Sequence, residues 1–166
     1  MDLNALNRLS YGVYVVSTWD FGRATGCLVN AVMQITAQPP TLAVSVHHND
    51  YTHKCLMETG EFAISVLPQK TDPKIVGTFG FKSGEKIDKF DEIEHEVIGN
   101  LPVLAHSCAY MTCEIINTME SDTHTVFLGK VIEAEEMLDE TPMTYDYYHR
   151  VIRGKSPKNA PTYRGE

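Results

Sequence analysis

Hydrophobic and polar residues alternate along much of this chain, and the alternation stops at a few glycines and prolines. Residues 41–47 show it best: Leu42, Val44 and Val46 alternate with Ala43, Ser45 and His47, the period of a strand with one buried face. Residues 13–19 are rich in Val, Tyr, Thr and Trp, a strand composition. Asp20-Phe21-Gly22-Arg23 then turns the chain into a second predicted strand over residues 25–35, so the pair reads as a hairpin. Pro39-Pro40 ends that segment. Residues 62–67 alternate again and stop at Pro68, and two longer β segments, 106–119 and 124–137, flank Ser121-Asp122-Thr123.

Helical spacing is rarer. Leu3, Leu6 and Leu9 predict a short amphipathic helix over residues 2–9. Residues 51–59 predict a second helix closed by Gly60, residues 71–79 a third with Pro73 in its first turn, and residues 143–152 a last one. Residues 80–90 form a loop bearing Gly and Lys, and 154–166 are irregular. Many strands, a few helices and no interior linker predict one domain over residues 1–153 with a C-terminal tail at 154–166. The fold class is mainly β, a closed or partly closed barrel.

Composition narrows the function. A chain of 166 residues buries roughly 70% of its unfolded surface, enough for a core without staples. The net charge of -8 gathers in residues 91–96 and 133–140 and repels nucleic acid and anionic lipid, so neither is an expected partner. No run approaches the ~18 uncharged apolar residues of a membrane span. The N-terminal residues show no basic patch followed by an apolar run, and the four cysteines form no C-x-x-C pair, so a cytoplasmic protein with free thiols is expected.

The candidate chemistry sits in residues 24–56, ATGCLVNAVMQITAQPPTLAVSVHHNDYTHKCL. Strand edges and a helix start at Thr52 offer backbone N–H groups to an anion, although Asp50 beside them favours a simple N-cap instead. Lys82, Lys86 and Lys89 are three of fourteen cations within eight residues, the local reversal of sign that a phosphate needs. His47, His48 and His53 lack a completing Cys or carboxylate spacing, so no metal site is expected. Cys27 has no identifiable partner base, and no G-x-S-x-G, Walker or G-x-G-x-x-G motif occurs.

This stretch resembles the FMN-binding core of the flavin reductase-like family, in its T-G-x-x-x-N-A segment, its Pro-Pro before a strand and its Thr at the next helix start. GEFAISVLP at 60–68, FGFKSGEKIDKF at 79–90, HTVFLGKV at 124–131 and GKSPKNAPTY at 154–163 extend the resemblance over nearly the whole chain, toward the flavoredoxins and the flavin domain of high-molecular-weight rubredoxins. The resemblance implies a split β-barrel that binds FMN and forms a homodimer. It implies flavin contacts from Thr25, Cys27, Asn30, Ala31, Ser45, Val46 and Phe81, and phosphate contacts from Thr52, Lys82, Ser83 and Lys89. It also implies that His124 positions the nicotinamide of NADH or NADPH, although the preceding Ser121-Asp122-Thr123 is one residue longer than the family's usual Gly-Asp there. The implied activity passes electrons from NAD(P)H through FMN to a separate acceptor: a flavin, a rubredoxin-like protein or a metal complex. A flavoredoxin-like carrier, reduced by a protein partner and without its own NAD(P)H activity, is the alternative.

Overall fold

A computed structural model describes residues 1–165. Its sheet starts from the predicted hairpin: β1 (Tyr14–Asp20) pairs antiparallel with β2 (Arg23–Val29), from Tyr14 opposite Val29 to Asp20 opposite Arg23. Phe21 and Gly22 form the turn with φ of 48° and 84°, the left-handed pair that matches the twist of two flanking strands.

The predicted strand over residues 25–35 is two strands. β2 ends at Val29, and β3 (Val32–Ala37) starts again at the far edge of the same sheet. β4 (Pro40–His47) pairs with β3 and keeps the predicted alternation, with Leu42, Val44 and Val46 buried. Helix α1 (Tyr51–Thr59) follows, capped by Asp50 and closed by Gly60 at φ 72°. β5 (Glu61–Val66) and helix α2 (Pro73–Phe81) come next, the helix with Asp72 as its cap and proline at its first turn.

β6 (His95–Ile98) and β7 (Leu101–Leu104) form a small hairpin that the alternation did not reveal, since each strand is only four residues long. β8 (Ala109–Glu120) and β9 (His124–Glu136) are the long predicted pair, with β8 beginning three residues later than expected. Helix α3 (Tyr145–Arg150) is shorter than its predicted span. The N-terminal leucines make a 3-10 turn, Leu3–Arg8, rather than an amphipathic helix: none of its residues is buried, and Leu3, Leu6 and Leu9 are more than half exposed.

The seven main strands lie in the order β2-β1-β5-β8-β9-β4-β3, every neighbour antiparallel. β2 also lies against β4, so the sheet curls into a barrel that closes short of its last strand. Phe62, Ile64, Val16, Val44, Val46 and Phe127 fill its interior. A second cluster, built on Phe79, Phe90, Leu67, Met143, Tyr145 and Tyr148, fixes α2, α3 and the loop after α2 onto β1 and β2. All four cysteines are free and buried.

Candidate functional site

Where β2 breaks at Asn30 and β4 runs past it, the seam of the barrel opens into a cleft of about 580 Å³. Leu28 and Val29 from β2, Asn30 just after it, and Ser45, Val46 and His47 from β4 line it. Gly80 to Ser83, Glu85 and Lys86 contribute a further wall, as do Tyr145 and Tyr148 of α3 and residues 155–161.

Among the described residues, two buried side-chain oxygens of this region have no hydrogen-bond partner. Asn30 is 5% exposed; its Nδ2 donates to Thr162 Oγ1 at 3.1 Å, but its Oδ1 is buried and unsatisfied. Thr25 Oγ1, under Gly84, is buried and unsatisfied as well. Native proteins pair nearly all such atoms, because each one left unpaired costs about 1–3 kcal/mol.

The charge lining the cleft is unusual for this chain. Lys82, Lys86, Lys155 and Lys158 all reach it, and among the described residues none of the four is in a salt bridge. Asp50 and Glu85 are the carboxylates on the same lining. Four cations against two anions give the cleft a net positive lining in a protein of net charge -8.

Of the residues singled out in the sequence, Asn30, Ser45, Val46, Phe81, Lys82 and Ser83 line the cleft. Thr25, Cys27, Ala31, Thr52 and Lys89 lie outside its lining. Thr52 is buried in the first turn of α1, its N–H donating to the Asp50 side chain at 3.3 Å. Cys27 packs into the barrel interior, where burial pushes its thiol well above the usual range, with the nearby Asp50 carboxylate adding to the effect. Lys89 is 2% exposed, and its ammonium donates to Gly26 O at 2.8 Å and Phe79 O at 3.2 Å, fastening the loop after α2 to β2. Burial lowers its pKa, and the Cys27 and Asp50 groups oppose that shift.

His124 opens β9 opposite His47 on β4, their rings edge to face with centroids 4.8 Å apart. Its Nε2 lies 3.1 Å from Asn159 O and its Nδ1 2.8 Å from Thr123 Oγ1. A carbonyl only accepts, so Nε2 carries the proton, and in the neutral ring Nδ1 accepts from the threonine. His47, which does line the cleft, has its pKa lowered mainly by burial and further by His124 and His48.

The sequence reading missed Tyr145, Tyr148 and the folded-back tail. The two tyrosines had only the tyrosine-rich YDYYH of α3 as a signal, and the tail had the family-like GKSPKNAPTY at 154–163, whose Gly and Pro content reads as unstructured.

The family described as "flavin reductase like domain" matches residues 6–155. A high molecular weight rubredoxin from Moorella thermoacetica is 42% identical over 98% of this chain and 72% of its own length. A ferric-chelate reductase (NAD(P)H) from Archaeoglobus fulgidus is 34% identical over 98% of both chains. An NADH:FAD oxidoreductase of Streptomyces globisporus superposes with a TM-score of 0.77 at 26% identity, over 86% of this chain and 88% of that one. No helix among the described residues is long and apolar enough to cross a membrane. With this family match and these relatives, the chain belongs to the flavin reductase-like family and is an oxidoreductase of that kind.

Proposed function

We propose that this oxidoreductase binds FMN in the cleft, takes electrons from NADH or NADPH and passes them to a separate acceptor, which is a flavin, a rubredoxin-like protein or a metal complex. The observation that carries the reading is Asn30, a buried amide on the cleft lining whose oxygen has no partner among the described residues, with four lysines on the same lining that are in no salt bridge among those residues. A flavin mononucleotide brings both a polar ring edge and a dianionic phosphate, so the residues present fit it. Asn30, Ser45, Val46 and Phe81 would hold the ring and ribityl chain, with Thr25, Cys27 and Ala31 shaping the strand break behind them. Lys82 and Ser83 would hold the phosphate, with Thr52 and Lys89 fixing the helix start and the loop. The bound flavin supplies the hydride and single-electron chemistry; this chain supplies orientation and electrostatics. The relative named a ferric-chelate reductase (NAD(P)H) supports both the donor and a metal complex as acceptor.

His124 would position the nicotinamide. Its Nε2 is held by Asn159 O, and that contact favours a second reading, a carrier reduced by a protein partner, in which the histidine never meets a nucleotide. Anaerobic titration of the FMN-loaded protein with NADH and NADPH, followed by flavin absorbance, decides between them. The enzyme reading expects full bleaching of the oxidised flavin band by at least one nucleotide, and His124→Ala slows that reduction at least tenfold with FMN affinity unchanged. Negligible bleaching of the wild type by either nucleotide transfers the assignment to the carrier. Unchanged kinetics in the variant remove His124 from the mechanism.

We also infer a homodimer, working in the cytoplasm, where the buried thiols stay reduced. Leu42, Val44 and Val46 face inward on β4, so Ala43 and Ser45 face out, and the register puts Met33 opposite Ala43, Leu128 beside Ala43, and Met119 opposite Val126. The result is an outward apolar face on β3, β4, β9 and β8 that runs up to Ser45 at the cleft edge. Sedimentation of the wild type is expected to give about twice the 18.6 kDa chain mass, and Met33→Glu with Leu128→Glu is expected to give the single chain. A monomeric wild type would exclude the dimer.

A further inference from the structure

Residues 154–163 contain no helix or strand, yet they are tied down along their length. Tyr148 Oη donates to Lys155 O at 2.7 Å, and His149 Nδ1 bonds Gly154 O at 3.0 Å. The Ser156 and Tyr145 hydroxyls lie 2.6 Å apart. Asn159 O meets His124 Nε2, and Thr162 Oγ1 accepts from Asn30 Nδ2. Pro157 packs over Gly80 so closely that a Cβ there would lie 3.3 Å from the proline ring. Bonds to α3, to the β2–β3 break and to the start of β9 make this segment a strap across three elements, not a frayed end.

The strap brings two cations into the cleft, Lys155 and Lys158. The chain has 22 acidic side chains, yet among the described residues neither lysine is in a salt bridge. The strap is also bonded to Asn30, whose oxygen remains unsatisfied beside it. We propose that residues 154–163 are a wall of the nucleotide site and that Lys155 and Lys158 hold a phosphate of the bound nucleotide. This rests on the reading of the cleft as a nucleotide site. The ligand chemistry is a phosphate monoester or diphosphate, which a flavin mononucleotide and a nicotinamide dinucleotide both carry. Each ammonium forms a charge-assisted bond, and because hydrogen bonds already hold the backbone of the strap, binding has only the two lysine side chains left to order.

The test is calorimetric titration of the full chain, freed of flavin, with FMN, riboflavin, NADPH and NADH in turn. Wild type is compared with Lys155→Ala/Lys158→Ala and with Lys155→Arg/Lys158→Arg. The alanine pair is expected to weaken at least one phosphate-bearing ligand about tenfold or more, to leave riboflavin within about twofold and to flatten the salt dependence, while the arginine pair retains affinity. A loss for FMN relative to riboflavin assigns the flavin phosphate; a loss confined to NADPH and NADH assigns the donor diphosphate. Affinities unchanged for every ligand overturn the proposal and leave the flavin reading intact, since wild type still binds FMN. If wild type binds a nicotinamide nucleotide but no flavin, the flavin reading falls and the strap is decided on that nucleotide alone. No binding of any of the four ligands overturns both.

Discussion

Replacing Lys82 and Lys86 together by alanine is expected to weaken FMN binding about a hundredfold and to leave riboflavin within about twofold. Both side chains line the cleft from the loop after α2, both are exposed, and neither is in a salt bridge among the described residues, although Glu92 feels the charge of Lys82. A charge-assisted hydrogen bond contributes about 1.5–3 kcal/mol, and solvent screening at an open rim holds each bond to the low end of that range. About tenfold per lysine follows, and about a hundredfold for the pair if the two act independently. Riboflavin has no phosphate, so the same variant loses almost nothing with it. Asp50 and Glu85 on the same cleft work against an anion, so the lysines must first offset them. High salt is therefore expected to narrow the gap between FMN and riboflavin in the wild type. Equal weakening of both flavins would show that these lysines do not read the phosphate. Lys89 is the wrong residue for this experiment: its ammonium holds two backbone carbonyls in the interior, and removing it strands both.

Much of this architecture is legible in the sequence because it is local. Alternation marks β4 and β5, Asp-Phe-Gly-Arg marks the first hairpin, and Gly60 after α1 and Pro73 at the start of α2 mark those helices. The break at Asn30 is not legible, since no Gly or Pro stands there and both halves of the segment have strand composition; only the exchange of sheet edges shows it. The β6–β7 hairpin hides for a different reason. Its strands are four residues long and the first is charged and exposed, so neither periodicity nor hydropathy rises above its surroundings. Leu3, Leu6 and Leu9 have a helical spacing with nothing to pack against. In the site, the cluster of lysines after α2 could be seen by counting charge, but whether an ammonium faces the cleft or two carbonyls cannot, which is what separates Lys82 from Lys89. The strap is the clearest case. Its Gly and Pro content correctly predicts irregular backbone, yet irregular is not loose: its anchors, Asn30, His124 and Tyr145, lie 132, 35 and 11 residues from their partners.

Gly129→Ala is expected to destabilise the protein by about 2–3 kcal/mol. Gly129 sits in β9 between Leu42 on β4 and Ile115 on β8, with its α-carbon facing the barrel interior. A Cβ there would lie 2.7 Å from Phe62 Cζ and 2.8 Å from Cys113 Cβ, closer than side-chain carbons approach. Neither neighbour can withdraw, because Phe62 is fully buried, Cys113 is 1% exposed, and both stand on paired strands, β5 and β8. Overpacking of this kind costs about 1–3 kcal/mol and sometimes more; the upper end applies where two strands must part. Alanine restricts the unfolded chain more than glycine does, which returns about 0.5–1 kcal/mol and sets the net figure. Urea unfolding reads it as a lower midpoint at unchanged slope, and a thermal melt as a fall of about 5–10 °C for a chain of this size. Phe62→Leu removes the ring atoms that the new methyl meets. Alone it is destabilising, but combined with Gly129→Ala it is expected to cost less than the sum of the two, the signature of a direct clash. Well below the melting range the single variant should keep its flavin affinity, since Gly129 does not line the cleft. A midpoint within error of wild type would mean that β9 can move away from β8 at Gly129, and that the barrel is looser there than its packing shows.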